Sequence, residues 1–293
     1  MKISVVIPVC NEEGNVKELY RKLSQVLKKN ASDYEVVFVD DGSRDNTLKI
    51  LHEIKDKHLK LIAFQRNFGK AAALMAGFKK VSGDVVFTMD GDLQDEPNEI
   101  PKFLSKLEQG YDMVSGWKFR RHDPVTKTLP SKFFNWLTAR ITGVDIHDSN
   151  CGYKAYKNHV IKHIEIYGEL HRYIPALAHW KGFSVGEVKV KHNARKHGKS
   201  KYGFERLLKG FLDLITVKFL TSYLTRPLHF FGILGFASGF VGVLLGLYIV
   251  GLWVIHGNIQ GHYPLLMLVV LLILIGVQFV SLGLLGEMVV SSK

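Results

Sequence analysis

An acidic motif, DGDLQD, runs from Asp90 to Asp95 directly after the apolar segment VVFTM. In a strand, residues two apart point the same way, so Asp90, Asp92 and Gln94 can present their oxygen atoms to one cation. Carboxylate and amide oxygens are the ligands that hard divalent cations prefer. The motif therefore predicts a site for Mg²⁺ or Mn²⁺ on Asp90, Asp92 and Gln94. Taken alone, the same letters also fit a solvated acidic loop in which Pro97 begins the next helix.

Two earlier apolar segments end in similar polar turns. The segment from Ile3 to Val9 is followed by CNEE, and the segment from Val36 to Val39 is followed by DDGS. Short apolar runs are typical of strands buried on both faces, and open parallel sheets bind ligands beyond the carboxyl ends of their strands. The repeated order of strand, polar turn and helix predicts a doubly wound α/β sheet with its polar turns at one edge.

The turn DDGS could take part in nucleotide binding. The Asp41 carboxylate can accept a ring N–H from uracil or guanine. Asp41, Ser43 and Asp45 are also residue types that cap helix N-termini, and the sequence of the turn leaves both roles open.

Seven motif-like segments follow one another along the chain: VVIPVCNEE, VDDGS, QRNFGKAAALMAGF, SGDVVFTMDGDLQDEP, GYDMVSGWKFRR, DSNCGYKAY and RKHGKSKY. As an ordered set they resemble the family 2 inverting glycosyltransferases with a GT-A fold. Within that family the chain is similar to polyprenyl-phosphate sugar synthases, namely dolichyl-phosphate mannose synthases and bactoprenol glucosyltransferases. The resemblance implies a Rossmann-like GT-A domain and metal-dependent transfer of a single sugar from a nucleotide sugar to a polyprenyl phosphate, with inversion.

The resemblance favours UDP-glucose as donor and undecaprenyl phosphate as acceptor. GDP-mannose with a dolichyl-type acceptor is the competing pair, and UDP-N-acetylglucosamine or a modified pentose stays open. A processive polysaccharide synthase would carry a Q-x-x-R-W motif, which the sequence lacks. A non-catalytic membrane scaffold that retains the fold is the alternative from another class.

The resemblance also implies roles for individual residues. Asp92 and Asp148 are implied as catalytic, and Lys127 as the contact of the acceptor phosphate. The residues implied in nucleotide-sugar binding are Pro8, Cys10, Glu12, Val39, Asp41, Asn67, Lys70, Gly91, Lys118, Arg195 and Lys201. Lys118 and Lys127 stand where mannose synthases have arginine, and lysine binds phosphate without the bidentate fork.

The role of Asp148 has more than one interpretation. A phosphate monoester is largely dianionic near neutral pH, with a second pKa of about 6, so the reaction demands no strong base. Asp148 would therefore either remove a proton or orient a substrate. Capping of a turn is the structural alternative.

The C-terminal part of the sequence is typical of a membrane anchor. No Lys, Arg, Asp or Glu occurs from Pro227 through Gly286. The two apolar runs in this tract, Phe230 to Ile255 and Pro264 to Leu285, each reach the ~20 residues that cross a bilayer core. They predict two transmembrane helices, and a buried hairpin in a soluble core is the alternative.

The charges around these runs predict the orientation. Basic residues precede the first run, Lys293 follows the second, and the connector HGNIQGHY has no Lys or Arg. Both termini and the catalytic domain should therefore be cytoplasmic, at a cell membrane that the chain crosses more than once. The N-terminus does not read as a cleaved signal peptide.

The segment from Phe204 to Leu224 alternates apolar and basic residues at helical spacing. This pattern predicts a helix in the headgroup plane, with packing on the soluble domain as the alternative. The predicted domains are thus a catalytic domain at 1–203, an amphipathic helix at 204–227 and a two-helix membrane region at 228–293.

The composition limits the classes of binding partner that are expected. The formal net charge of +12 suits a nucleotide diphosphate, anionic headgroups and a polyprenyl phosphate. Nucleic acid is not an expected partner because the sequence shows no recognition motif. The two cysteines lack metal spacing and are too few for a disulfide framework. A homo-oligomer is left open.

Overall fold

The computed structural model describes residues 1–119, 138–193, 212–219, 223 and 226–291. The chain divides into two compact units, Met1–Val217 and Lys218–Lys293. The first unit contains the α/β sheet, and the second contains two long helices.

A mixed sheet forms the centre of the first unit. Within the described residues it has the order β3-β2-β1-β4-β6-β5-β7. The strands are β1 (Lys2–Val9), β2 (Asp33–Asp40), β3 (Leu59–Ala63), β4 (Val85–Thr88), β5 (Met113–Lys118), β6 (Lys154–Lys157) and β7 (Val185–Val190). The first four strands are parallel, β6 is antiparallel to both β4 and β5, and β7 is parallel to β5. The predicted α/β class is confirmed.

Helices follow the strands as the polar turns predicted. The α-helices of the first unit with assigned bounds are α1 (Val16–Asn30), α2 (Thr47–Glu53), α3 (Lys70–Phe78), α4 (Ile100–Glu108), α5 (Asn158–His163) and α6 (Ile174–Trp180). Short 3₁₀ turns at Pro97–Glu99 and Leu170–Tyr173 lead into α4 and α6. On α1 the buried residues Leu19, Leu23 and Leu27 recur every four positions, so one face of the helix packs against the sheet.

The core aligns the strands through aromatic and β-branched side chains. Phe87 of β4 packs edge-on against Phe103 of α4, with ring centroids 5.8 Å apart, and the Phe103 and Tyr153 centroids are 4.5 Å apart. All of these rings are fully buried, or nearly so. Such interlocked packing holds β4 and the residues before β6 at fixed positions, which matters for the polar groups at their ends.

One edge of the sheet collects the polar turns. Val9 at the end of β1 is in register with Asp40 at the end of β2. Thr88 at the end of β4 is in register with Lys154 at the start of β6, because β6 runs in the opposite direction. The loop that precedes β6 therefore reaches the same edge as the ends of the parallel strands, which we call the carboxyl edge.

The second unit is a helical hairpin of α7 (Pro227–His256) and α8 (Tyr263–Ser291). Both helices are long and apolar enough to cross a membrane. They approach closely at glycines: a Cβ added at Gly276 would lie 2.8 Å from the Gly235 carbonyl oxygen. Small residues at such contacts are typical of packed membrane helices. The Leu228 backbone N–H donates to Glu287 Oε2 at 3.3 Å, so α8 supplies an acceptor for the open N-terminus of α7.

The predicted amphipathic helix falls largely outside the described residues. Residues 212–219 are helical, and positions 204–211 are not described. The interfacial placement of this segment stays a prediction.

Candidate functional site

The DGDLQD motif forms a tight turn directly after β4. Leu93 has a φ of 62°, in the left-handed region that residues with a Cβ rarely adopt. The Gln94 backbone N–H donates to Asp92 Oδ1 at 3.2 Å, which closes the turn from inside. Asp90 and Asp92 are thereby fixed at the carboxyl edge, as the sequence predicted.

Asp90 is enclosed by two neighbours that the chain brings from a distance. Lys70, at the start of α3, forms a salt bridge with its carboxylate. Gly152 packs on its other side, since a Cβ added there would lie 2.6 Å from both Asp90 carboxylate oxygens. Burial favours the protonated acid, but Lys70 and Lys118 outweigh it and hold the pKa of Asp90 below its usual range. Asp90 is therefore an anion whose surroundings are already positive.

Asp95, the last residue of the motif, contacts the first residue of the motif and Lys118. Its Oδ2 accepts the Asp90 backbone N–H at 3.2 Å, and Lys118 Nζ lies 3.6 Å from its Oδ1. Burial raises the pKa of Asp95, with Lys118 acting against the rise. Burial would lower the pKa of Lys118, but Asp95 and other nearby anions outweigh it, so that pKa is raised and the ammonium stays charged. The sequence-based prediction did not include Asp95. Its position at the end of the motif DGDLQD could have indicated a role beside Asp90.

Asp90 and Asp92 suit a hard divalent cation whose coordination shell is only partly filled by the protein. Such a cation is commonly bound through one or two carboxylates, with substrate phosphates and water completing its shell. Gln94 donates its amide N–H to the Asn193 carbonyl at 3.3 Å, which leaves its own oxygen as an acceptor. Over the described ranges no group of three or more His, Cys, Asp or Glu residues could hold a metal, so a closed protein cage is not formed there.

The turns after β2 and β3 are tied together beside this motif. The Asp41 carboxylate accepts the backbone N–H groups of Phe68 at 2.7 Å and Gly69 at 2.9 Å. The Asn67 side-chain amide donates to the Asp41 carbonyl at 3.2 Å and to Cys10 Sγ at 3.3 Å. Cys10, Asp41 and Asn67 thus meet at the carboxyl edge, and in this structure Asp41 clamps the loop that leads to Lys70. Their role in nucleotide binding stays a prediction.

The other residues predicted to contact the nucleotide have different structural surroundings. Pro8 and Val39 are paired across β1 and β2, and the Val39 side chain is fully buried. Glu12 Oε2 accepts from the Asn15 amide at 2.6 Å, which ties Glu12 to the start of α1. Gly91 needs its lack of side chain, since an added Cβ would lie 2.6 Å from a Val9 methyl.

Asp148 lies in the interior near the carboxyl edge, and its residue is only 1% exposed. Glu187 of β7 holds it in place: Oε1 accepts the backbone N–H groups of His147 at 2.9 Å and Asp148 at 3.0 Å. Glu187 Oε2 contacts His147 Nδ1 at 2.8 Å. The charge of Asp148 contributes to the raised pKa of Lys118, and it opposes the lowering of the Lys154 pKa by burial. Sequence reasoning missed Glu187, which lies in an ordinary strand pattern.

Three predicted contacts lie outside the described residues, namely Lys127, Arg195 and Lys201. Their roles stay predictions. The segment DSNCGYKAY predicts Asp148 as its site residue, and the structure also brings Gly152 of this segment against Asp90 and Lys154 close enough to feel the Asp90 charge.

Comparison with known proteins gives three findings. Residues 4–165 match the family model described as glycosyl transferase family 2. The chain is 39% identical over 299 residues to a dodecaprenyl-phosphate galacturonate synthase of Rhizobium johnstonii, with 99% of this chain and 88% of that protein covered. It is 40% identical over 291 residues to an undecaprenyl-phosphate 4-deoxy-4-formamido-L-arabinose transferase of Shewanella sediminis, with coverages of 97% and 86%.

The fold also has a solved counterpart. The crystal structure of glucosyl-3-phosphoglycerate synthase from Mycobacterium tuberculosis in complex with Mn²⁺, UDP and glucosyl-3-phosphoglycerate superposes with a TM-score of 0.59. The two sequences are 18% identical, and the match covers 75% of this chain and 79% of that one. At this identity the likeness concerns the fold, which is of the GT-A type.

Proposed function

Because the chain belongs to glycosyl transferase family 2, we propose that it transfers a single sugar from a nucleotide sugar to a polyprenyl phosphate, with inversion at the anomeric carbon. The relatives named above are polyprenyl-phosphate sugar transferases, and each match covers nearly the whole of this chain. The products would be a polyprenyl-monophosphate sugar and a nucleoside diphosphate.

One observation carries the proposal: two carboxylates and two ammonium groups converge at the carboxyl edge. Asp90 and Asp92 would hold Mg²⁺ or Mn²⁺, and the cation when bound would stabilise negative charge on the leaving diphosphate. Mn²⁺ is present in the solved counterpart. Lys70 and Lys118 add fixed positive charge at the same place, which favours departure of an anion.

The remaining residues would position the two substrates. The clamp of Cys10, Asp41 and Asn67 lies where the nucleoside would bind, with Pro8, Glu12, Val39 and Gly91 around it. Arg195 and Lys201 are proposed for the donor diphosphate and Lys127 for the acceptor phosphate. Asp148, fixed by Glu187, would orient a substrate or accept a proton after a small movement of its loop.

The donor and the acceptor are proposed at different levels of detail. Undecaprenyl phosphate is supported by the acceptor named for one relative. UDP-glucose, the donor favoured by the sequence, competes with the sugars named for the relatives, galacturonate and formamido-arabinose. GDP-mannose is the remaining competitor.

Membrane attachment would bring the catalytic domain to its lipid substrate. We propose that α7 and α8 span the cell membrane with both termini in the cytoplasm, because the basic residues flank the hairpin on one side. The proposed domains are the catalytic domain at 1–203, the interfacial helix at 204–227 and the membrane hairpin at 228–293. A homo-oligomer is compatible with this arrangement.

The test is transfer of label into lipid. The full chain in detergent is incubated with undecaprenyl phosphate, Mg²⁺ or Mn²⁺ and radiolabelled UDP and GDP sugars, and the organic phase is counted. We expect label from one donor, lost with EDTA and with Asp92→Asn. The matched control is Asp33→Asn, because Asp33 lies on the surface and pairs with Lys2 at 3.4 Å. Full transfer by the Asp92 variant, or no transfer from any donor, would refute the proposal.

A further inference from the structure

A small basic chamber lies directly behind Asp90. Lys70, Asn150, Lys154, Tyr156 and His171 are among the residues that line it. Its volume is about 10 Å³, which is room for one water-sized group. Lys70 and Gly152, which line the chamber, also lie against Asp90, so the chamber adjoins the predicted metal ligands.

Lys154 is the unusual feature of the chamber. The residue is only 2% exposed. Its ammonium donates to the Cys151 carbonyl, and within the described ranges it forms no salt bridge. Burial lowers the pKa of Lys154 to about 8, and the nearby Lys70 adds to that effect. A buried ammonium without a counter-ion is costly, and an anionic oxygen in the chamber would relieve that cost.

His171 faces the same space in its neutral form. Its Nδ1 is buried and has no hydrogen-bond partner among the described residues. Burial, followed by Lys70 and Arg172, lowers the pKa of His171 to about 2, so the ring is uncharged. A neutral imidazole can donate one hydrogen bond, and an oxygen in the chamber is a suitable acceptor.

Two other cations near the chamber, among the described residues, already have carboxylate partners. Lys70 pairs with Asp90, and Arg172 donates to Glu169 at 2.5 Å. Lys154 is therefore the group that an incoming anion would neutralise. The volume admits one oxygen of an anion. Because the proposed function assigns the donor diphosphate to the cation and the acceptor phosphate to Lys127, a carboxylate on the donor sugar is the anion that is left for Lys154.

We propose that the basic chamber receives one carboxylate oxygen of the donor sugar, so that the enzyme prefers a uronic acid nucleotide to the matching neutral sugar. This inference rests on the proposed function, because it assumes a nucleotide sugar at the carboxyl edge. Lys154 would contact the carboxylate as a specificity residue, with His171 as a second donor.

The test uses donor pairs that differ only at C6. They are UDP-galacturonate with UDP-galactose, UDP-glucuronate with UDP-glucose, and GDP-mannuronate with GDP-mannose. Transfer to undecaprenyl phosphate and donor binding by isothermal titration are measured with the full chain. Because a hydrogen bond to a charged group is stronger than one between neutral groups, we expect the acid of one pair to exceed its neutral partner roughly tenfold or more in kcat/KM and in affinity.

Lys154→Met should abolish this preference and leave the fold intact, because it removes a buried charge at similar length. Its melting temperature is compared with wild type, and Lys154→Gln keeps a donor for the Cys151 carbonyl if the Met variant fails to fold. The control is Lys157→Met, three residues after Lys154 on the same strand. Lys157 pairs with Asp112 at 3.1 Å. The control should keep the preference.

The outcomes separate this inference from the proposed function. Efficient transfer from a neutral sugar, or a preference that survives Lys154→Met, overturns the uronate inference while polyprenyl transfer stands. A raised KM for undecaprenyl phosphate in Lys154→Met, with donor preference unchanged, overturns it in favour of the acceptor phosphate. No transfer and no binding preference in any pair refute both.

Discussion

We expect Gly152→Ala to impair sugar transfer because the added Cβ would displace the Asp90 carboxylate. The backbone of Gly152 lies against the Asp90 carboxylate, and an added Cβ would be 2.6 Å from each of its oxygens. Non-bonded carbon and oxygen atoms need more than about 3 Å, so Asp90 or the loop before β6 must move by roughly half an ångström. Gly152 has no positive φ, so the alanine itself causes no backbone strain.

The movement has two restraints. The Gly152 carbonyl accepts the Thr88 hydroxyl at 2.8 Å, which holds the loop to β4. Lys70 holds Asp90 from the other side. Overpacking of this kind costs about 1–3 kcal/mol of stability. Functional groups must be held within about 0.5 Å of their productive geometry, and a misplacement near 1 Å costs about 100-fold in rate.

We therefore expect Gly152→Ala to lower kcat/KM for sugar transfer by roughly 10- to 100-fold and to raise the Mn²⁺ concentration needed for half-maximal rate. The assay is radiolabel transfer across a metal titration, with thermal unfolding measured in parallel. The control is Gly251→Ala in α7, where an added Cβ would meet no described atom within 4 Å apart from its neighbours and its own helix backbone. Wild-type transfer and metal dependence in Gly152→Ala would show that the Asp90 position does not limit the reaction.

Three other predictions concern separate parts of the molecule. Burial raises the pKa of Glu35, but Lys60 at 2.5 Å and hydrogen bonds outweigh it and lower that pKa from 4.5 to about 2. Its contribution, roughly 3 kcal/mol, is therefore present above pH 4.5 and lost as the pH falls towards 2. Urea unfolding should show Glu35→Gln less stable than wild type at pH 6 and nearly equal to it near pH 2, and an equal deficit at both values would contradict the assignment. Glu187→Ala should lower kcat roughly tenfold with little change in donor KM, since it frees the backbone of Asp148, and Glu187→Gln, which keeps an oxygen acceptor, should recover most of the rate. Gly276→Leu should separate the hairpin helices, because its side chain would enter the backbone of α7, and faster proteolysis of the variant in detergent than of Gly251→Ala would report this.

The sequence was most informative about features that depend on a few neighbouring residues. Apolar runs such as Val36 to Val39 produce strands because β-branched and aromatic residues pack on both faces of a parallel sheet. The long uncharged tract produced α7 and α8 for a comparable reason, since helix length and composition are local properties. Asp90 and Asp92 could also be placed at the carboxyl edge, because they follow a strand directly.

Contacts between distant segments were not predictable in the same way. The antiparallel insertion of β6 between β4 and β5 brings Gly152 to Asp90 and buries Lys154 behind it. Nothing in DSNCGYKAY marks a four-residue strand of reversed direction. The pairing of Glu187 with the Asp148 backbone depends on the same sheet order.

The sequence by itself thus determined the α/β class, the pair of long apolar helices and the acidic motif, because hydrophobic pattern and strand-end polarity are encoded over a few neighbouring residues. Only the tertiary structure decided which basic groups neutralise the motif, that Asp41 clamps a loop, and that Lys154 is buried without a counter-ion among the described residues. These properties depend on side chains that lie far apart along the chain, and their energies are set by the low dielectric of the interior in which packing places them.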